Sequence, residues 1–415
     1  MSETVFSPAD ILLPQGVDMQ KWSVVACDQY TSEPDYWNRV AQTVGDSPST
    51  FPMILPEVYL SAPDAKQRVA RINESMQEYL DGGIFRCFPN SYVYLERTIE
   101  PGKVRRGLIG KLDLMAYEYG KGTKSAVRPT EGTVESRLPP RIKVREHAPL
   151  ESPHIMLLID DPGKTVIEPL AQKKETLQPV YDFTLMEHGG AVSGWQVTGQ
   201  TRKSVDDALA KLETQLGAQS EHPLLFAVGD GNHSLATAKA CYENLRQTLP
   251  KEEWERHPAR WALVELVNIH DDAMQFEPIH RVLFDVDPAH VCKELESYYD
   301  VEQSDAGQTF ETVIQGKRTR LSIKNPSSQL AVGSLQIFLD EYLARFGGEV
   351  DYIHGEEVVL QLSQRERAIG FLLPTMEKSE LFPTVIADGA LPRKTFSMGH
   401  AYEKRYYLEC RAIRP

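Results

Sequence analysis

Apolar positions recur along the chain with two periods, and each predicts an element type. In PDAKQRVARINESMQEYLD (63–81), Val69, Ile72, Met76 and Tyr79 fall on one helical face, Pro63 suits a first turn, and Gly82-Gly83 ends the run. A second helix is predicted from Ser204, where Asp207 completes a capping-box pattern. Val205, Leu209, Leu212 and Leu216 form its stripe, and Gly217 is its C-terminal cap. A third starts near Ser234 with Leu235, Ala238, Tyr242, Leu245 and Leu249 on one face, and a fourth covers 335–346, stopping at Gly347-Gly348. Continuous or alternating apolar runs predict strands at 91–99 and 105–119 around the turn EPGK, and at 154–160, 224–228, 261–269, 368–374 and 405–413. Residues 176–199 carry strand-like pieces. Residues 120–150 read as irregular, and 301–330 as polar with only TRLSI strand-like.

This interleaving predicts an α/β or α+β fold built on a mixed sheet. The expected organisation is an N-terminal part (1–200), a central part (201–300) and a C-terminal part (301–415), or one intertwined domain. At 415 residues, with 41% hydrophobic and 25% charged side chains, the chain is globular in composition, which argues against disordered, collagen-like or coiled-coil classes. The net charge of −14 disfavours non-specific nucleic-acid binding, though not a local basic pocket. No run approaches the roughly 18 apolar residues of a membrane span, and the first residues lack the pattern of a signal peptide. Five dispersed cysteines without a CxxC pair indicate neither a zinc knuckle nor a disulfide framework, so a reducing cytoplasm is expected.

The most informative segment is LLFAVGDGNHSLATAKACYENL (224–245): an apolar strand, a glycine turn, then a helix. Gly229 and Gly231 permit a sharp turn, and the helix start beyond it offers unpaired N–H groups to an anion. Asp230 and His233 add a carboxylate and an imidazole, although a bare glycine turn with a capping Asp would look the same. The turn is not a dinucleotide fingerprint, since GxGxxG requires Gly where Ser234 stands, and GKT (163–165) is not a P-loop, since Leu158 replaces the first glycine. The segment 125–147 is dense in arginine, with Arg128, Arg137, Arg141 and Arg145; guanidinium forks suit phosphate, but charge alone reads as a solvated loop. His280-Arg281, expected after a strand, and Lys394-Thr395 in a basic turn complete the candidates. The eleven histidines are dispersed without HxxxH or HExxH spacing, so no metal ligand set is predicted.

Together these segments resemble the prokaryotic family called domain of unknown function 1015. Its hallmark, A-D-G-H-H-R-Y-x-T-A, is similar to Val228–Ala238 (VGDGNHSLATA); its H-E-x-T element is similar to Thr130-Glu131-Gly132-Thr133; its P-x-H-R and P-x-K-S/T elements are similar to Pro278–Arg281 and Pro392–Thr395. The chain departs where Asn232, Ser234 and Thr130 replace His, Arg and His. The central motif also resembles the turn of the ParB/sulfiredoxin-like superfamily, which includes a free-serine kinase. The resemblance implies a ParB-like strand–turn–helix core with large N- and C-terminal elaborations and a phosphate or nucleotide site around Asp230–Ser234. The expected activity is phosphoryl transfer, as a small-molecule kinase or phosphohydrolase using ATP or ADP with Mg²⁺ on a small phosphorylated ligand. Asp230, His233 and Glu131 are the expected catalytic residues. Gly229, Gly231, Asn232, Ser234, Arg128, Arg141, His280, Arg281 and Lys394 are the expected phosphate-binding set. The alternative is a non-catalytic protein that binds a nucleotide or phospho-metabolite.

Overall fold

The computed structural model describes residues 4–60 and 62–415. The fold is mixed α/β: a ten-stranded and a seven-stranded sheet, two two-stranded ribbons, and helices interleaved with them. Two compact units emerge. The first comprises residues up to Pro129, Thr133–Met274 and His400–Pro415; the second comprises Thr130–Gly132 and Gln275–Gly399. This division differs from three consecutive parts, because strand Trp261–Asn268 pairs with Lys103–Asp113 and Met156–Ile159, and the chain's end returns to the first unit.

The first unit's sheet runs in the order Val127–Pro129, Phe226–Asp230, Met156–Ile159, Trp261–Asn268, Lys103–Asp113, Phe85–Glu100, Ala191–Val197, Gln178–Thr184. Only the pairs Val127–Pro129 with Phe226–Asp230 and Met156–Ile159 with Trp261–Asn268 are parallel along this path. Side chains alternate across the sheet as strand geometry requires. Tyr92, Tyr94, Leu108, Val264 and Leu266 enter one core with Phe226, Val228, Leu235 and Tyr242, while Val93, Leu95, Ile109 and Leu263 enter the opposite one. Strands with both faces buried read as near-continuous apolar runs, which is why the sequence exposed them.

Several elements differ from the sequence reading. The helix expected from Ser204 spans Gly199–Gln219, because Asp206 and Asp207 pair with Arg202 and Lys203 at i,i+4 rather than capping, and Gly217 lies inside it. The Arg-rich stretch holds an eight-residue helix, Leu138–Arg145, opened by prolines in its first turn and anchored by buried Leu138. The polar stretch 301–330 holds a hairpin, Gln308–Ile314 with Lys317–Ile323, closed by Gln315-Gly316, both at positive φ. Its sheet face is half solvated, which masks the apolar signal. The final strand is two short pieces, Tyr406–Tyr407 and Arg411–Ala412.

The second unit is built on an antiparallel sheet ordered Val301–Glu302, Lys317–Ile323, Gln308–Ile314, Ala368–Leu372, Glu277–Phe284, Glu349–His354. Its helix Ala331–Phe346 buries Leu335, Phe338, Leu339 and Tyr342.

Candidate functional site

Strand Phe226–Asp230 delivers the chain to helix Asn232–Arg246 through one residue, Gly231. Phe226 and Val228 anchor the strand in the core, and Leu235, Ala238 and Tyr242 anchor the helix in the same core, so the turn has no freedom to relax. Its pairing with Met156–Ile159 slips register between Val228 and Asp230, at Gly229. Gly231 sits at φ +76°, and a Cβ there would stand 2.9 Å from the Cα of Ile155. Both facts demand glycine. The helix cap therefore has no side chain, and the first-turn N–H groups of Asn232, His233 and Ser234 have no intrahelical acceptor. The Asn232 Oδ1 is buried without a hydrogen-bond partner among the described residues.

A set of charged side chains surrounds this turn, all within the first unit. One oxygen of Asp230 accepts the Gly231 N–H at 2.9 Å, and the other pairs with the Lys404 ammonium at 3.2 Å. These two side chains keep 18% and 15% of their surface exposed, so the turn reaches solvent. His154 stands 3.5 Å by its Nε2 from Asp28 Oδ2, and its Nδ1 lies 2.8 Å from the Tyr407 hydroxyl. That hydroxyl also accepts the Cys27 N–H at 3.2 Å. Helix Leu138–Arg145 packs beside the turn helix and brings Arg141, which pairs with Glu57 and donates to Arg137 O. The His233 Nε2 accepts the Val134 N–H at 3.3 Å.

The charges tune one another. Burial disfavours ionised Asp28, but His154, the Gln29 amide and Lys404 outweigh it and hold the carboxyl below its usual range. Burial likewise opposes charge on His154, yet Asp28, then Asp230 and Glu57, raise it overall. His233 is shifted the other way: burial, then Arg141 and Arg137, lower it, which favours the neutral imidazole. Burial and the neighbouring Asp28 push the Cys27 thiol up to about 12, which leaves it protonated.

The remaining sequence candidates are held by backbone and side-chain partners of their own. Arg128 is buried, and its guanidinium donates to Ser125 O at 2.8 Å and His222 O at 2.9 Å. Glu131, His280, Arg281 and Lys394 belong to the second unit. His280 and Arg281 lie within strand Glu277–Phe284, not after it, and are 2% and 0% exposed. His280 Nδ1 accepts the Leu373 N–H at 3.1 Å. Arg281 donates to Gln336, Ile279 O and Arg393 O and stacks 5.1 Å from the Tyr352 ring centre. Glu131 accepts the Lys394 N–H at 3.1 Å, and Lys394 holds a positive φ of 58°. The three catalytic candidates are thus not all in one unit.

The groups that sequence reasoning did not assign to the site are Asp28, His154, Tyr407 and Lys404. Their signal was faint: CDQY (27–30), a histidine opening an apolar strand, and Lys404-Arg405 ahead of Tyr406-Tyr407. The carboxylates near the turn are each ion-paired in the ligand-free chain. Asp28 is matched to His154, Asp230 to Lys404 and Glu57 to Arg141, and no group of three His, Cys, Asp or Glu among the described residues is arranged to hold a metal ion. No helix among the described residues is long and apolar enough to cross a membrane.

Among solved structures, the chain is similar to a free serine kinase variant in complex with AMP (11% identity, TM-score 0.39, covering 73% of this chain and 90% of that one). It is also similar to such a variant in complex with ADP (11%, TM-score 0.38, 73% and 91%) and to a conserved hypothetical protein from Pyrococcus furiosus (11%, TM-score 0.35, 73% and 94%). No curated protein matches the chain. The family described as protein of unknown function (DUF1015) matches residues 12–342, most of the chain, and the protein belongs to that family.

Proposed function

We propose that the first unit binds the phosphate end of a nucleotide, ATP or ADP, at the Asp230–Ser234 turn and transfers a phosphoryl group to a small hydroxyl-bearing molecule or to water. The observation that supports this most is Gly231. Its positive φ and its closeness to the Ile155 backbone hold the first-turn N–H groups in a fixed, solvent-reaching position at the positive end of a fifteen-residue helix. Preorganised donors of this kind are what a loose phosphoryl-transfer transition state requires, since positioning and charge stabilisation do most of the catalysis.

Around that turn the side chains take distinct parts. His233 accepts the Val134 N–H at Nε2, which puts the ring proton on Nδ1 as a donor for a phosphate oxygen. Asp230 holds the turn and Lys404, leaving little capacity to act as a base. Asp28 is the proton acceptor for the attacking hydroxyl: His154 keeps it ionised and fixes its orientation, and Tyr407 fixes His154.

The test is calorimetric titration of the full chain with ADP, paired with turnover assays on a panel of small alcohols and hydroxy acids. The wild-type chain is expected to bind ADP and consume ATP. Asp28→Asn should keep ADP affinity within about threefold and lose roughly 10²–10⁴ in kcat. A wild-type chain that ignores millimolar ADP would sink the proposal. The second reading, binding without turnover, is favoured by the Asp230–Lys404 pair, which already engages one candidate base; ADP binding with no turnover on any acceptor would select it.

A further inference from the structure

The segment His400–Pro415 returns to the first unit after the second, beyond the residues that the family match covers. Buried arginines hold it by its backbone. Arg97 donates to Tyr402 O at 2.6 Å and to Lys404 O, Arg105 donates to Glu403 O at 3.1 Å, and Arg405 donates to Pro153 O at 3.2 Å. Arg405 is itself fixed by Glu265 and Glu409, each at 2.6 Å. The Ala26 N–H donates to Arg405 O, and Tyr406 pairs with Val25. Three consecutive carbonyls, of Tyr402, Glu403 and Lys404, are thereby pinned by guanidinium groups. Satisfying buried carbonyls with buried charge is a costly way to hold a segment. It fixes where the Lys404 side chain starts, and that side chain ends 3.2 Å from Asp230, at the turn.

We propose that Lys404 is a phosphate-contacting residue of the Asp230–Ser234 site, paired with Asp230 in the ligand-free chain and shared with, or transferred to, the ligand's phosphate oxygens on binding. The inference rests on the reading of that turn as a phosphate site. Three observations carry it. Arg141 is paired with Glu57 and His154 with Asp28, whereas Lys404 is the cation that reaches the carboxylate of the turn itself. Its side chain is only 15% exposed, so a phosphate beside it meets a partly desolvated ammonium, where a charged contact is worth more than at the surface. Its backbone is anchored while its four-carbon stem is flexible, so the ammonium can swing from carboxylate to phosphate without moving the segment. Asp230 does not lose its place on release, because the Gly231 N–H still binds its other oxygen. The ligand class is therefore one with a terminal phosphate of charge near −2, such as a nucleoside diphosphate or inorganic pyrophosphate. A neutral nucleoside would gain nothing from the lysine.

The experiment titrates the full-length wild-type chain, Lys404→Ala, Lys404→Gln and Lys404→Arg with ADP, pyrophosphate and adenosine by calorimetry, with a ligand-free melting curve for each. Lys404→Ala and Lys404→Gln should weaken ADP and pyrophosphate by about ten- to a hundredfold. Lys404→Arg should restore most of that loss, and the salt dependence of ADP affinity should flatten in the Ala and Gln variants. A purely structural lysine would lower the melting midpoint and leave the salt dependence unchanged. If the variants fail to fold, amine acetylation of the wild-type chain read by mass spectrometry supplies the answer, with ADP expected to protect Lys404. ADP binding that is as tight in folded Lys404→Ala as in wild type, or no ADP protection of Lys404, overturns the inference alone. No binding of ADP or pyrophosphate by wild type overturns it together with the proposed function.

Discussion

The two units hold comparable sets of motif residues and use them in opposite ways. In the first, the motif sits at a junction between strand and helix, its side chains are partly exposed, and its carboxylates meet histidine and lysine in pairs that reach solvent. In the second, the motif residues are consumed by the fold. Arg281 is fully buried with its donors on Gln336 and two carbonyls, His280 accepts a backbone N–H, and Glu131 ties down the Lys394 turn. A dense cluster of charged residues in the sequence therefore says that polar groups matter at that place. It does not say whether they serve a ligand or the backbone; enclosure among backbone partners, against side-chain pairs that keep contact with solvent, is what separates the cases.

That contrast can be broken most forcefully at Arg281. Arg281→Met should destabilise the chain by about 3 kcal/mol, because it strands the carbonyls and Gln336 that the guanidinium satisfies. Thermal melting and hydrogen exchange of Glu277–Phe284 would read this. A folded Arg281→Met chain with weakened ADP binding would show that the second unit's arginine serves the ligand after all.

Gly231→Ala comes next, at about 2 kcal/mol, from a left-handed backbone and a Cβ pressed on Ile155. Here the loss should appear in ADP affinity as well as in the melting midpoint. A variant that melts lower yet binds ADP normally would remove the turn from the site.

The Asp28–His154 pair predicts a pH signature. His154 is raised above its unfolded value, so its contribution is full below about pH 6.5 and fades as pH climbs through the higher folded value. Asp28 is lowered, so its contribution is full above about pH 4 and fades on acidification through the lower folded value. The melting-midpoint gap between wild type and His154→Gln should thus be wider at pH 5.5 than at pH 8.5. An equal gap at both would mean that the two groups do not share charge.

The smallest effect is expected at Lys394, whose side chain is exposed. Lys394→Ala should change stability by about 0.5 kcal/mol or less, with ADP affinity unchanged. A tenfold loss of affinity would place this second-unit turn in the site.

Much of this molecule was legible in the chain itself. The apolar runs at 154–160, 224–228 and 261–269 announce the strands Met156–Ile159, Phe226–Asp230 and Trp261–Asn268, the second displaced two residues toward Gly231, because burial on a sheet leaves a repeat in the sequence. The hairpin Gln308–Ile314 with Lys317–Ile323 hid behind its polar face, and the helix Leu138–Arg145 hid behind prolines and arginines that suit a loop equally well.

The glycine turn could be read locally because strand, Gly231 and helix are consecutive, and their conformations follow from neighbouring residues. What surrounds the turn could not be read. Asp28, His154, Tyr407 and Lys404 come from distant segments, and they meet because sheet pairing, such as Tyr407 with Val24, sets their register. Spacing along the chain carries no record of such pairing. Nor does it record that Arg281 would be enclosed, since enclosure depends on what packs over a strand rather than on the strand's own pattern.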